Sequence, residues 1–409
     1  MTSDDIVVTG IGLMTPAGSG TADTWTGLLA GRPVSAPDPA LRGLAVDFSC
    51  RAPLHKPASV FGHVRARRMD RAAQLAVLAG REAAGSAGLN AAACDWERVA
   101  VVLGVGGNSV DTYVREFGLQ AAGRYDRVSP LAILRSLPST VPAEVAADLG
   151  ARGPALAVSA ACASGASAIS VAAALLRGGA CDIAVTGGAE AGCCPGLSVC
   201  FHQMRALSTR RHDPAGASRP FDRGRDGFVL GEGAGVLVLE RHPYAAARGA
   251  AVRARLAGCA SVHEPGQRQT PHPSGDGAAA ALRAALREAG LEARDVDLVS
   301  AHATSTVLGD AAEHLALRSV FGSTPPTVTA LKSVLGHTLG GAGGISAACA
   351  VLALEHQLVP PTANLDAPDP DIDLDVVTKS PRAARLGVAV CNSFGFGGLN
   401  SVLVLTQPA

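Results

Sequence analysis

The chain has few aromatic residues and no excess of charge of either sign. Aromatic residues make up 3% of its 409 residues, whereas hydrophobic residues make up 48%. Small and aliphatic side chains must therefore build the core. The formal net charge is +0, which excludes the basic balance of a nucleic-acid-binding protein. The length is sufficient for two domains or for one large α/β unit.

Signals of secretion, membrane insertion and metal binding are also missing from the sequence. The first residues, MTSDDIVVTGIG, contain no basic segment followed by an apolar one. No run of about 18 apolar residues predicts a membrane span. The 10 cysteines include no Cys-x-x-Cys pair, and Cys193 and Cys194 are adjacent. We therefore expect a cytoplasmic chain with reduced thiols, no metal site and neither a nucleic-acid nor a membrane partner.

Short apolar runs alternate with Ala-rich stretches of helical length. The runs predict strands at 5–12, 98–107, 182–190, 233–240, 296–304, 325–333, 386–395 and 401–407. Apolar residues three to four positions apart predict helices at 71–88 and 277–290. This alternation predicts an α/β fold in which helices cover buried sheets.

Two segments repeat one plan. Residues 155–179 form a predicted strand, a cysteine and a helix of small residues, and residues 328–357 form a strand, a histidine and a similar helix. Helices that are apolar nearly all round are expected to pack centrally. The repeat predicts two similar halves, 1–243 and 244–409, joined through the charged stretch 240–256.

Cys162 is the candidate nucleophile in the stretch SAACASGASAIS. It lies where a strand ends and a helix begins, and free N–H groups at a helix start favour a negative charge. We therefore expect a lowered thiol pKa at this position. The alternative is that Cys162 is a small apolar core residue, the usual role of a free cysteine.

Two histidines in the second half support the catalytic interpretation. His302 follows a predicted strand, and His337 lies between a strand and a helix. A thiol and two imidazoles together supply a nucleophile and groups that handle protons or stabilise an oxyanion. Lys332 is expected to end a buried strand and to need a carboxylate partner, for which Glu313 and Asp310 are the nearby candidates.

Six motifs, in order, give the chain its resemblance to a known family. They are ACASG at 161–165, GGAEA at 187–191, ASRPFDRGRDGFVLGEGAG at 217–235, HATSTVLGD at 302–310, KSVLGHTLGGAGG at 332–344 and NSFGFGGLN at 392–400. The chain resembles the β-ketoacyl-acyl carrier protein synthases of type II fatty-acid and polyketide systems. The resemblance implies a thiolase-like fold of two similar halves, layered α/β/α/β/α, and a dimer of like chains or a heterodimer with a chain-length-factor-like subunit.

The resemblance also implies a reaction. Cys162 would take an acyl chain from the phosphopantetheine arm of an acyl carrier protein, with no permanently bound cofactor. His302 and His337 would promote decarboxylation of a malonyl extender and stabilise the enolate, which attacks the Cys162 thioester in a Claisen condensation. Lys332 and Glu313 would support the histidines, and Asp310 would be a structural partner.

Further residues receive roles from the same resemblance. The backbone N–H groups of Cys162 and Phe394 would form an oxyanion hole, and Thr304 and Thr306 would bind the pantetheine arm. Phe201 and Phe394 would gate the acyl pocket, beside glycines that let the loop move. A basic patch for the acidic carrier protein would comprise Arg67, Arg68 and Arg205.

Departures from the family pattern affect the substrate rather than the reaction. Ala303 stands where a glycine is usual, and His202, Gln203 and Met204 stand where small residues are common. These positions leave the chain length of the substrate open.

Three other interpretations remain. In the first, the chain is a non-catalytic chain-length-factor-like partner. In the second, it is a non-decarboxylating thiolase or another thiol acyltransferase. In the third, it is a structural or binding protein with an inert site. The presence of Cys162, His302 and His337 argues against all three.

Overall fold

The computed structural model describes residues 5–90, 94–107, 109–266 and 270–408. Its central feature is an 11-stranded mixed sheet, flanked by two small two-stranded sheets. The strands in the first part of the chain are β1 Ile6–Thr15, β2 Gly18–Ser19, β3 Ala36–Pro37, β4 Phe48–Ser49, β5 Val99–Gly104, β6 Ala155–Val158, β7 Ile183–Ala191 and β8 Glu232–Arg241. The later strands are β9 Ala254–His263, β10 Leu298–Ser300, β11 Thr327–Thr329, β12 Leu358–Val359, β13 Arg382–Ala383, β14 Val388–Gly395 and β15 Leu399–Thr406.

The order of strands in the large sheet shows an internal duplication. From one edge to the other the order is β11-β10-β14-β15-β9-β1-β8-β7-β5-β6, with β2 attached to β1. The five strands of each half, numbered along the chain, follow the same order from the outer edge inward: third, second, fourth, fifth, first. The halves meet where β1 pairs antiparallel with β9. The two similar halves are therefore confirmed, while the boundary between residues 243 and 244 stays a prediction.

Helices cover the sheet on both faces and lie between its halves. They are α1 Thr21–Leu29, α2 Pro57–Phe61, α3 His63–Arg68, α4 Arg71–Ser86, α5 Val110–Ala121, α6 Ala132–Ser136, α7 Thr140–Leu149, α8 Ser164–Arg177, α9 Pro195–Gln203, α10 His242–Ala247, α11 Asp276–Ala289, α12 Val307–Phe321, α13 Lys332–Leu335 and α14 Ala342–His356. The predicted helices at 71–88 and 277–290 are confirmed as α4 and α11.

The small-residue helices α8 and α14 pack against each other in the core. A Cβ on Gly165 would lie 2.8 Å from the backbone nitrogen of Gly344, and a Cβ on Gly343 would lie 2.4 Å from that of Ala166. Only glycine allows backbones to approach this closely. This contact fixes the N-terminal ends of both helices next to each other, and those ends border the candidate site.

The structure differs from the sequence-based strand predictions in several places, and the predicted run 296–304 contains a strand only at Leu298–Ser300. The run 325–333 contains a strand only at Thr327–Thr329, and Lys332 begins helix α13. Strand β9 was not predicted and lies partly in the expected joining segment. Its sequence ARLAGCASVH offers one β-branched residue and several small ones, so the strand signal is weak.

One stretch is long and apolar enough to cross a membrane, by length and composition alone. It is Leu339–His356, and 89% of it is buried inside the protein. This stretch contains α14, so its apolar character is explained by its central position between the sheet halves.

Candidate functional site

Cys162, His302 and His337 come together at one end of the strands. Cys162 lies between β6 and α8 and follows Ala161, whose φ of 49° gives a sharp turn. His302 follows β10, and His337 follows α13. All three line a single cavity of about 380 Å³. The pairing of a cysteine from one half with histidines from the other is therefore as predicted, although their chemical roles remain to be tested.

The two imidazole rings pack edge to face and are nearly perpendicular. Their centroids are 5.4 Å apart, with an interplanar angle of 86°. The Nδ1 atom of His337 accepts a hydrogen bond from the backbone N–H of Leu339 at 3.3 Å, so the neutral ring carries its proton on Nε2. Within the described part of the chain, His337 Nε2 and His302 Nδ1 are buried without a hydrogen-bond partner.

Burial holds the pKa of both histidines well below the ordinary value. The positive charge of Lys332 lowers the pKa of each ring further, and His337 adds to the effect on His302. Both rings are therefore neutral near pH 7. A neutral imidazole with a free N–H can donate a hydrogen bond to a substrate oxygen without first losing a proton.

The Cys162 thiol does not have the lowered pKa that its helix-start position predicts. Burial raises its pKa to about 11, although the charge of Lys332 and the backbone N–H groups of Phe396 and Cys162 itself act in the opposite direction. Loss of hydration therefore outweighs the favourable field of the helix start.

Replacing Lys332 with Met should slow alkylation of Cys162. The reactive species is the thiolate, and removal of the Lys332 charge raises the thiol pKa further. We expect the rate of iodoacetamide labelling at pH 8 to fall by roughly tenfold, the change produced by a shift of one pKa unit. Peptide-resolved mass spectrometry measures the rate, with exposed Cys200 as an internal reference.

The matched control is Lys56→Met, because Lys56 is exposed and distant in the fold. Labelling of Cys162 should rise with pH through the alkaline range toward about 11. An unchanged rate in Lys332→Met at pH 8 would show that the Lys332 charge does not act on the thiol.

Glu313 and Lys332 hold the backbone of His302 from two sides. Glu313 Oε1 accepts the His302 N–H at 2.8 Å, and Oε2 accepts the Ala303 N–H at 2.6 Å. The ammonium of Lys332 donates to the His302 carbonyl. The expected carboxylate partner of Lys332 is thus replaced by a carbonyl, and the Glu313 charge acts at longer range, opposing the burial that lowers the Lys332 pKa to about 8. Asn392, which the sequence did not single out, donates to Glu313 at 2.9 Å.

The loop after His302 is strained and is held by buried groups. Ala303 and Ser305 have φ values of 27° and 70°, which non-glycine residues rarely adopt. Asp310 accepts the N–H of Ser305 at 3.0 Å and that of Phe221 at 2.9 Å, which agrees with a structural role. Burial raises the Asp310 pKa to about 7.

Thr304 and Thr306 lie on this loop and line the cavity. Their hydroxyl oxygens are 3.1 Å apart. Thr306 also accepts the Gly309 N–H at the start of α12. The positions suit contacts with an extended substrate, a role that stays a prediction.

The oxyanion-hole role expected for Phe394 stays a prediction, and the structure places a different N–H beside the nucleophile. The backbone N–H that reaches the Cys162 sulfur belongs to Phe396, whereas the Phe394 backbone lies within β14, opposite Asn400. The Phe394 ring packs near His302, with centroids 5.7 Å apart. Strand β14 ends at Gly395. Of the two phenylalanines, Phe396 therefore lies on the turn after the strand, and Phe394 lies within the strand.

Phe396 is also the ring that contacts Phe201. Their rings are stacked with centroids 6.1 Å apart, and Phe201 meets Phe228 edge-on at 5.3 Å. Phe228 in turn packs edge-on against His337. The rings of Phe396, Phe201 and Phe228 therefore form a chain of contacts that ends at His337. The gate role expected for Phe201 and Phe394 stays a prediction.

The three candidate arginines divide between two places. Arg205 lies at the cavity wall beside Met204. Arg67 and Arg68 are exposed on α3, and Arg68 borders a separate groove with Phe61 and Val64. The structure thus places Arg205 at the cavity, whereas Arg67 and Arg68 lie on α3, outside the cavity lining.

Among the described residues, no cluster of three or more His, Cys, Asp or Glu side chains is placed to hold a metal ion.

Comparison with known proteins gives matches over the whole chain. The family model described as "Beta-ketoacyl synthase, N-terminal domain" matches residues 3–245. The model described as "Beta-ketoacyl synthase, C-terminal domain" matches residues 253–366. The chain is 38% identical to 3-oxoacyl-[acyl-carrier-protein] synthase 2 of Vibrio harveyi, with 100% of both chains covered. It is 38% identical to the granaticin polyketide putative beta-ketoacyl synthase 1 of Streptomyces violaceoruber, with 98% of each covered. The solved structure of the ishigamide ketosynthase/chain length factor superposes with a TM-score of 0.92 at 33% identity, covering 100% of both chains.

Proposed function

Because this chain belongs to the β-ketoacyl synthase family, we propose that it condenses an acyl group held on Cys162 with malonyl-carrier protein to give 3-oxoacyl-carrier protein. The family's reaction class is acyl transfer in chain elongation. The observation that supports these residue roles is the shared cavity of Cys162, His302 and His337, with unpartnered ring nitrogens on both imidazoles.

The first step transfers the acyl group to Cys162. The sulfur attacks the thioester carbonyl of the acylated arm, and the proton of the thiol ends on the departing arm thiol. The N–H groups of Cys162 and Phe396 lie against the sulfur. They are placed to donate hydrogen bonds to the carbonyl oxygen, on which negative charge develops.

The second step forms the carbon nucleophile. The malonyl carboxylate leaves as CO2, and the bonding electron pair moves into an enolate on the thioester oxygen. His302 and His337 donate hydrogen bonds to this oxygen. Their depressed pKa keeps the rings neutral, so they stabilise the enolate by hydrogen bonding and do not protonate it.

The third step joins the two chains. The enolate carbon attacks the acyl carbonyl on Cys162, and the sulfur leaves as thiolate. The chain on the carrier has then grown by two carbons, and the thiolate takes up a proton from solvent to restore the free enzyme. Glu313 and Lys332 act by fixing the His302 backbone, and Thr304 and Thr306 line the path of the arm.

The reaction assay supplies purified protein with acyl-carrier protein and malonyl-carrier protein. Mass spectrometry of the carrier should show a 3-oxoacyl product, together with released CO2. Acyl donors of several lengths would identify the preferred chain. Absence of product with every donor, both from the chain alone and with a chain-length-factor-like subunit added, would reject the proposed function.

We propose that Arg205 contributes to carrier-protein binding at the cavity entrance, with Arg67 and Arg68 on the adjacent surface. Arg205→Glu should raise the KM for the carrier substrate roughly tenfold at low salt and less at high salt, because exposed charges are screened. The control is Arg294→Glu, since Arg294 is exposed and precedes β10, whereas the site follows that strand. An equal effect of both substitutions would argue against a specific patch.

We also propose that the protein functions in the cytoplasm as a dimer through the β6 edge of the sheet. Strand β6 has one strand partner in the described residues, β5, and Leu156 in β6 is 41% exposed. Exposed Phe117, Ile133 and Leu134 add apolar surface. A subunit of the same fold fits this edge, either a second copy or a chain-length-factor-like chain. The complete set of reactive residues favours the catalytic over the partner role for this chain.

A further inference from the structure

Arg225 is a buried arginine that the proposed chemistry does not use. It is 5% exposed and lies in the segment DRGRDGF, between the pocket residues of the first half and the loop after His302. Burying a guanidinium is costly unless its donors are satisfied. The position of those donors therefore indicates what the residue does.

Two of the three donor atoms of Arg225 are directed to residues that line the cavity, Thr306 and Val307. The Nε atom donates to the Thr306 carbonyl at 3.3 Å, and Nη2 donates to the Val307 carbonyl at 3.1 Å. The Nη1 atom donates to the Asp222 carbonyl at 2.9 Å and to the Asp369 carboxylate at 2.6 Å. One side chain thus joins three separate segments of the chain.

Two of those segments form adjoining walls of the cavity. Asp226, Gly227 and Phe228 follow Arg225 directly and line one wall, and Thr304 and Thr306 line the other. The backbone N–H of Gly227 donates to the Ser305 carbonyl at 3.0 Å, and the N–H of Arg219 donates to the Ser305 hydroxyl at 2.9 Å. The loop 303–306 has two residues with positive φ, so it needs such external contacts to keep its shape.

We propose that Arg225 is a positioning residue that fixes these two walls relative to each other and so sets the path of the substrate arm toward Cys162. The planar guanidinium reaches three carbonyls and a carboxylate at once, a geometry that lysine cannot reproduce. This inference rests on the proposed function for the identity of the substrate arm. The contacts that Arg225 makes with the two walls do not depend on that function.

The test uses Arg225→Lys, with Arg223→Lys as the matched control because Arg223 is exposed two residues away. Asp369→Asn is a milder variant that retains the arginine and weakens its anchor. Each protein is first checked for a cooperative thermal transition, so that an unfolded variant is recognised and Asp369→Asn takes its place.

We expect Arg225→Lys to raise the KM for malonyl-carrier protein roughly tenfold, with a smaller fall in kcat, because the walls no longer match the arm. Alkylation of Cys162 by iodoacetamide should stay within about twofold of wild type, since the nucleophile turn does not contact Arg225. A KM equal to that of Arg223→Lys would overturn the proposal. Equal slowing of alkylation and turnover would show a general loosening of the fold and would also overturn it.

Hydrogen exchange separates this inference from the proposed function. In Arg225→Lys the peptide covering 303–309 should exchange several-fold faster, while the peptide covering 158–164 should be unchanged. Unchanged exchange at 303–309 contradicts the positioning role even if the wild-type protein proves inactive toward malonyl-carrier protein. If the wild-type protein makes no product but the 303–309 peptide of Arg225→Lys exchanges faster, the proposed function is rejected and the positioning role of Arg225 is retained.

Discussion

Cys162→Ala should abolish transfer of an acyl group to the protein and, with it, condensation. Cys162 is the thiol that lines the cavity shared with both histidines, and alanine has no atom that can form the thioester. Intact-protein mass spectrometry after incubation with acyl-carrier protein should show an added acyl mass on the wild type and none on the variant. Loss of 3-oxoacyl product should be complete within detection.

The matched control is Cys200→Ala, because Cys200 is exposed on α9 and outside the cavity lining. It should acquire the acyl mass as the wild type does. Stable acylation of Cys162→Ala at the wild-type rate would place the nucleophile at another residue.

His302→Ala and His337→Ala should each separate the two half-reactions. Acyl transfer to Cys162 uses the backbone N–H groups of Cys162 and Phe396 and should continue. Decarboxylation loses one of two hydrogen-bond donors to the enolate oxygen, and removal of one such donor lowers kcat by about 10²–10³-fold. The measurement is CO2 release from malonyl-carrier protein labelled at its free carboxylate, alongside acyl loading.

His55→Ala is the control, since His55 is exposed and away from the cavity. It should release CO2 at the wild-type rate. CO2 release that is unchanged in both cavity variants would remove the histidines from the decarboxylation step, whereas loss of acylation in both would show that they act on the nucleophile.

The sequence predicted the elements and residues whose signal is local. Helices α4 and α11 follow from apolar spacing, and the duplicated halves follow from a strand, a reactive residue and a small-residue helix repeated in each. Cys162 and His302 stand where a strand is followed by a helix, the kind of position where α/β sheets gather functional groups, whereas His337 lies between helices α13 and α14.

The errors concern effects that depend on three-dimensional surroundings. The helix start predicts a lowered thiol pKa, but burial of Cys162 determines the outcome. Lys332 begins a helix and donates to a carbonyl, an arrangement that its apolar neighbours in sequence do not indicate. Phe394 and Phe396 differ by two positions, and the end of β14 between them decides which N–H reaches the sulfur.

Arg225 illustrates a residue that sequence periodicity cannot identify. Two of its three carbonyl partners lie 81 and 82 positions away, and its carboxylate partner lies 144 positions away. Only the folded chain shows that these groups converge on one guanidinium. To predict such a positioning residue from the sequence, one would have to know how the two walls of the cavity lie relative to each other.

A single-turnover experiment tests the central claim most directly, that acyl-Cys162 reacts with the enolate formed beside the two histidines. Wild-type protein carrying one acyl group on Cys162 is mixed with malonyl-carrier protein, and CO2, acyl-protein and carrier product are measured in the same samples. The account predicts that one CO2 and one 3-oxoacyl-carrier protein appear for each acyl group lost from Cys162. Loss of the acyl group to water, or CO2 release while Cys162 stays acylated and no 3-oxoacyl product forms, would contradict it.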